Sequence, residues 1–178
     1  REAFVDSRGD EVLSVAFDPL PAALPTSAAL GARAPLVDRA ASFVTHTFER
    51  LNGVLVAFDY FAPTTAGLAS RPWREWLRTY AGHERGGHYL AEPGSQDITC
   101  EVPLDQLPAP DALRTQSQWL ELHGITALVD EGRRHWEEHA SAPDLTALRM
   151  RSRISEAEAL TDPSGLGAFL VAEWRGRA

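Results

Sequence analysis

The chain has 178 residues, 44% of them hydrophobic, enough for a domain with a real core, and its composition fits neither a disordered nor a collagen-like nor a disulfide-scaffold protein. A formal net charge of −8 argues against a nucleic-acid surface, since phosphate neutralisation needs clustered cations that carboxylates do not balance. Cys100 is the single cysteine, which excludes an intrachain disulfide and points to a reducing, cytoplasmic compartment. No apolar run approaches the roughly 20 residues that span a bilayer, so a membrane role is not expected either.

In chain order, Ala3 to Asp6 and Glu11 to Phe17 read as a β-hairpin turning through Ser7-Arg8-Gly9-Asp10. The chain opens on Arg1-Glu2-Ala3 without a methionine, like a strand entered midway, so a fragment of a longer chain is expected. Prolines 19, 21, 25 and 35 predict an irregular crossing from Asp18 to Pro35. Leu36, Ala40, Phe43, Val44, Phe48 and Leu51 then recur at helical spacing, and Asn52-Gly53 supplies a stop.

The run Val54 to Phe58, bounded by Gly53 and Asp59, has the pattern of a strand buried on both faces of a parallel sheet. Ligands in such sheets lie beyond the carboxyl ends of the strands, which places Asp59 and Tyr60 where a site is expected. The plainer alternative is that Asp59 caps the next turn. Residues 61 to 97 read as one long, functional connection carrying an aromatic patch from Trp73 to Tyr80. Arg71, Arg74, Arg78, His83, Arg85 and His88 concentrate positive charge there, suited to an anionic or carbonyl-bearing ligand. The alternative is a surface loop whose arginines lie over tryptophans.

Short strands are predicted at Ile98 to Val102 and Asp111 to Arg114. Helices follow at Gln116 to His123, at Thr126 to Ala140, and from Pro143-Asp144 to Asp162-Pro163. Gly167 to Trp174 closes the chain as an apolar strand. No repeat or domain boundary is evident, and a single domain over 1–178 is expected.

Other motifs have plainer readings. His135, Glu138 and His139 match H-x-x-E-H, a zinc-hydrolase pattern, but sit in a charged stretch that reads as a solvated helix face. Cys100 reads as a small buried residue. Ser117, His123 and Asp130 lack the nucleophile elbow of a hydrolase, and Gly165-Leu166-Gly167 reads as the turn into the last strand.

The strongest local pattern is Leu77-Arg78-Thr79-Tyr80 with His83, then Pro93-Gly94 with Asp97-Ile98-Thr99. Together with Asp59-Tyr60, Thr115-Gln116, Leu120 and Gly124-Ile125, it resembles the MidA-like family of S-adenosyl-L-methionine-dependent methyltransferases. That family includes the mitochondrial arginine methyltransferase that assists complex I assembly. The resemblance runs nearly the whole length and is closest to a branch from high-GC bacteria. It departs at Phe61, which replaces a glycine, at Glu75-Trp76, which replaces Gly-Thr, and in a shorter segment between Val102 and Thr115.

The resemblance implies the C-terminal portion of a Rossmann-like class I α/β sheet, with a β-hairpin addition and a helical segment near the C-terminus. The glycine-rich loop for S-adenosyl-L-methionine would lie upstream, so no cofactor-binding residue and no metal is assigned. It implies a protein substrate such as arginine, with Asp59 and Asp97 orienting or deprotonating the acceptor and His83 shaping the loop or accepting a proton. Arg78 and Tyr80 would fix an anionic or amide part, and Tyr60 and Thr99 complete the substrate set. The competing expectations are a non-catalytic binding or assembly module, and the zinc hydrolase of His135, Glu138 and His139.

Overall fold

The computed structural model describes residues 1–14 and 20–176. Its strands are β1 (Ala3–Val5), β2 (Glu11–Leu13), β3 (Val54–Asp59), β4 (Phe61–Ala62), β5 (Leu77–Ala81), β6 (Glu84–Arg85), β7 (Asp97–Cys100), β8 (Val102–Pro103), β9 (Ala112–Thr115) and β10 (Leu170–Arg175). Its helices are α1 (Asp38–Arg50), α2 (Thr65–Ala69), α3 (Trp73–Trp76), α4 (Gln116–Leu122), α5 (Ile125–His139) and α6 (Leu145–Thr161), with 3₁₀ turns at Leu104–Gln106 and Leu166–Ala168. The chain forms two compact units, Arg1–His46 with Tyr60–Ala109, and Thr47–Asp59 with Pro110–Ala178. No helix among the described residues is long and apolar enough to cross a membrane.

In the first unit, β1 and β2 pair antiparallel as expected, but the second strand ends at Leu13, and residues 15–17 of the expected run lie outside the described residues. The stretch 61–97 is not one long loop. It holds α2, α3 and the antiparallel sheet β6-β5-β7. Bulky aromatic and β-branched residues at 76–80 and 97–100 find partners across strands, and that pairing satisfies backbone groups a loop would leave to water. Ala62, Leu68 and Trp76 form the buried cluster, with Trp73, Leu77 and Cys100 packed on it.

Asp105 and Gln106 tie this unit together. The Asp105 carboxylate accepts from Thr65 N at 2.9 and 3.0 Å and from Thr65 Oγ1 at 2.7 Å, satisfying a free N–H at the start of α2. The Gln106 amide donates to Pro35 O at 2.8 Å and accepts from Val37 N at 2.9 Å.

In the second unit the strand order is β3-β10-β9, with β10 antiparallel to both neighbours. The expected final strand is present, although it starts at Leu170 rather than Gly167 because Leu166–Ala168 takes a 3₁₀ turn. The expectation for β3 needs correcting: it pairs antiparallel with β10, and Val54, Val56 and Phe58 are exposed, so its apolar run is not buried on both faces. Alternate residues face opposite sides, and Phe58 packs edge-on against Trp119 at 5.0 Å. Burial concentrates in β10 instead, at Val171, Ala172 and Trp174.

Thr115 caps α4 through a capping box with Gln118, and Gln116 Nε2 donates to Leu160 O at 2.9 Å near the end of α6. Gly124, at φ +89, turns α4 into α5. Gly132 lets α5 and α6 approach closely, since a Cβ there would sit 2.5 Å from Met150 O.

Candidate functional site

The sheet β6-β5-β7 brings four of the seven expected site residues together. Arg78 lies opposite Thr99, and Tyr80 opposite Asp97. Directly paired residues share a face and residues two apart repeat it, so all four belong to one face. The other face carries Leu77, Thr79 and Cys100, half-buried or buried, which turn toward the core and the 86–96 segment. Thr79 Oγ1 donates to Gly87 O at 2.9 Å, and a Cβ on Gly86 would come within 2.6 Å of Gln96 Oε1, so this inner side is closely packed.

Arg78 is held on three sides. Its Nε donates to Glu75 O at 2.9 Å, its NH2 donates to Glu101 Oε1 at 2.9 Å, and its guanidinium lies 5.7 Å from the centre of the Tyr60 ring. The other oxygen of Glu101 accepts from Arg71 at 2.5 Å, so one carboxylate orients two arginines. Tyr60 is in turn fixed by its carbonyl, which accepts from Val102 N at 2.9 Å and starts the parallel β4-β8 pair. A shallow depression of about 430 Å³ opens here, lined by Glu75, Arg78, Tyr80 and Arg85.

His83 occupies a different place. With Gly82 it forms the two-residue tip of the β5-β6 hairpin, where φ is +73 at His83 and +56 at Gly82. A two-residue turn matching the twist of its strands needs positive φ at both positions, so the histidine sits at the loop tip for a backbone reason. Asp59 belongs to the second unit, as the last residue of β3 and exposed, opposite Leu170.

The first unit also holds a cluster that sequence reasoning missed. Arg33 makes a forked pair with Glu11, at 2.7 and 2.5 Å, donates to Tyr89 Oη at 3.2 Å and stacks 5.1 Å from the Trp73 ring centre. The hydrogen bond from Arg33, outweighing partial desolvation, lowers the pKa of Glu11 below the ordinary carboxylate range. Glu101 was also missed. In sequence it falls inside the run Ile98 to Val102 read as a strand, with no arginine between Arg85 and Arg114 to point to it.

The competing motifs resolve as follows. His135 and His139 stack on each other at 4.3 Å, His139 Nδ1 sits 2.9 Å from His135 O, and among the described residues no three His, Cys, Asp or Glu gather as a metal site. Ser117 faces Glu121, His123 stacks on Trp119 at 3.7 Å and Asp130 pairs with Arg133, so no triad forms. Cys100 is half-buried, with Sγ donating to Glu101 O at 3.2 Å. A Cβ on Gly167 would strike the Thr161 backbone, which makes Gly165-Leu166-Gly167 a packed turn.

Gly9, Gly82, Gly94 and Gly124 hold turns at positive φ and Gly86, Gly132 and Gly167 stand in close packing, and among the described residues no glycine-rich turn joins a strand to a helix as a cradle for a methyl donor. The described residues do not fit that group.

No family model matches the chain, and no curated protein matches it. Two solved structures, both from Burkholderia thailandensis, are similar. One is an uncharacterized COG1565 superfamily protein, 20% identical, with a TM-score of 0.61 over 79% of this chain and 37% of that one. The other is a COG1565 superfamily member described as a "likely methyl transferase" bound to S-adenosyl-homocysteine. It is 20% identical, with a TM-score of 0.63 over 96% of this chain and 45% of that one. The chain spans less than half the length of either. The likeness shows the fold: this chain shares the mixed α/β architecture of these two structures.

Proposed function

We propose that this chain is the acceptor-facing portion of an S-adenosyl-L-methionine-dependent methyltransferase, of the MidA-like type, acting in the cytoplasm on a protein side chain such as arginine. The observation that carries the reading is the fold match over 96% of the chain to a protein that binds S-adenosyl-homocysteine, with Arg78, Tyr80, Asp97 and Thr99 on one sheet face. When bound, the donor supplies an electrophilic methyl group, and its binding strands are taken to lie outside the described residues.

What remains for these residues is to align a nucleophile and manage its proton. Asp97 carries an exposed carboxylate at the start of β7, able to accept a hydrogen bond from an acceptor N–H or to take its proton. Tyr80, directly opposite, offers a phenol that donates or accepts. Thr99 adds a hydroxyl, and Arg78, braced by Glu101, is a rigid fork for a carbonyl or anionic group. Asp59 is proposed as a second carboxylate that orients the acceptor, on the strength of the family resemblance and of its position at a strand's carboxyl end.

The test is incorporation of labelled methyl groups by the full-length gene product into protein, with methylarginine identified in the hydrolysate. We expect Arg78→Ala and Asp97→Asn each to lower kcat/KM by about tenfold or more, a loss of at least about 1.4 kcal/mol of transition-state stabilisation. Unchanged kcat and KM in Arg78→Ala and Asp59→Asn would remove these residues from the reaction.

A further inference from the structure

The depression lined by Glu75, Arg78, Tyr80 and Arg85 carries charges of both signs that are not spent on each other. Arg78 is committed, held by Glu101 and by the Glu75 carbonyl. Among the described residues, the Glu75 carboxylate and the Arg85 guanidinium make no ion pair or hydrogen bond, and neither does the Tyr80 hydroxyl. Register explains part of this. Arg85 stands opposite Tyr80 on one side and Asp97 stands opposite it on the other, two strand spacings apart, about 10 Å, too far to pair across the sheet.

An exposed charge alone is ordinarily satisfied by water and means nothing. Here an unspent cation, an unspent anion and a phenol line one concavity, beside an arginine already fixed in place. Such a surface discriminates against a ligand of either sign alone and favours one that carries both, because each end finds its complement without displacing an internal partner.

We infer that this depression takes a dipolar ligand, with a carboxylate on Arg85 and a guanidinium on Glu75, so that the acceptor is an arginine with a carboxylate close by. Glu75 and Arg85 are then specificity-determining residues of the proposed methyltransferase, an inference that rests on the arginine-acceptor reading. The Arg85 fork engages the carboxylate with two parallel N–H donors, which a lysine ammonium does not reproduce.

The test is titration of the full-length gene product, followed by NMR, with three small ligands: Nα-acetyl-L-arginine, its amide, which lacks the carboxylate, and Nα-acetyl-L-norvaline, which lacks the guanidinium. Nα-acetyl-L-arginine is expected to bind about fivefold or more tighter than either of the others. Arg85→Ala should abolish the preference over the amide, Arg85→Lys should keep part of it, and Glu75→Gln should abolish the preference over the norvaline derivative. A carboxylate preference that persists in Arg85→Ala, or no binding of any of the three, overturns the inference. Measuring S-adenosyl-homocysteine binding on the same samples separates the two ideas. Donor binding without ligand discrimination removes this inference alone, and discrimination without donor binding removes the methyltransferase reading and leaves the dipolar site.

Discussion

His83 illustrates how a residue can match a motif and still owe its place to the backbone. At φ +73 it holds a conformation that costs a non-glycine residue about 1 kcal/mol, so His83→Gly should leave the denaturation midpoint unchanged or raise it. If the side chain accepts a proton during the reaction, the same variant loses turnover while remaining folded. A stable variant with full activity assigns the residue to the turn only. Arg78 shows the opposite case. Its side chain was legible as an orienting fork from its motif, but the carboxylate that orients it, Glu101, lies 23 positions away in sequence and becomes visible only when β5 and β7 pair. Glu75, which replaces a glycine of the resembling motif, lines the depression, so a departure from the pattern lies where specificity would be set.

Among the elements, the long regular ones were readable and the short ones were not. Helices α4 to α6 were legible as regular stretches, the first stopping at Gly124 and the last starting at Pro143-Asp144, and the final strand through its unbroken apolar run. Strands β4 and β6 have two residues each, too few for any period to register, which helped 61–97 to read as a loop. For β3 the apolar run signalled a strand but not its surroundings, because burial depends on which strands lie beside it.

The Arg33–Glu11 pair joins β2 to Trp73 at the start of α3, and it makes a pH prediction. The folded-state pKa of Glu11 is depressed, so its stabilisation is complete above the unfolded value and is lost as pH falls through the ordinary carboxylate range of about 4 and below. Urea midpoints of the native chain should therefore fall more steeply between pH 5 and 3, on the order of that range, than those of Glu11→Gln. Identical slopes would mean that the pair contributes nothing to stability.

For the whole molecule, composition argued against a nucleic-acid surface, the single cysteine left no intrachain disulfide, and periodicity indicated α/β. The division into two compact units was not legible, because a unit built from two separated stretches of chain leaves no composition shift at its borders. The proposed chemistry rests on ordered motifs and on the fold match, since nothing in the spacing of carboxylates and arginines alone selects methyl transfer over other reactions of a polar acceptor.

Calorimetry of S-adenosyl-homocysteine against the 178-residue chain, beside the full-length gene product, tests the central claim most directly. Saturable binding is expected for the full-length product and none for the 178-residue chain. Comparable affinity in both would contradict the placement of the donor outside these residues, and no binding in either would contradict the methyltransferase assignment itself.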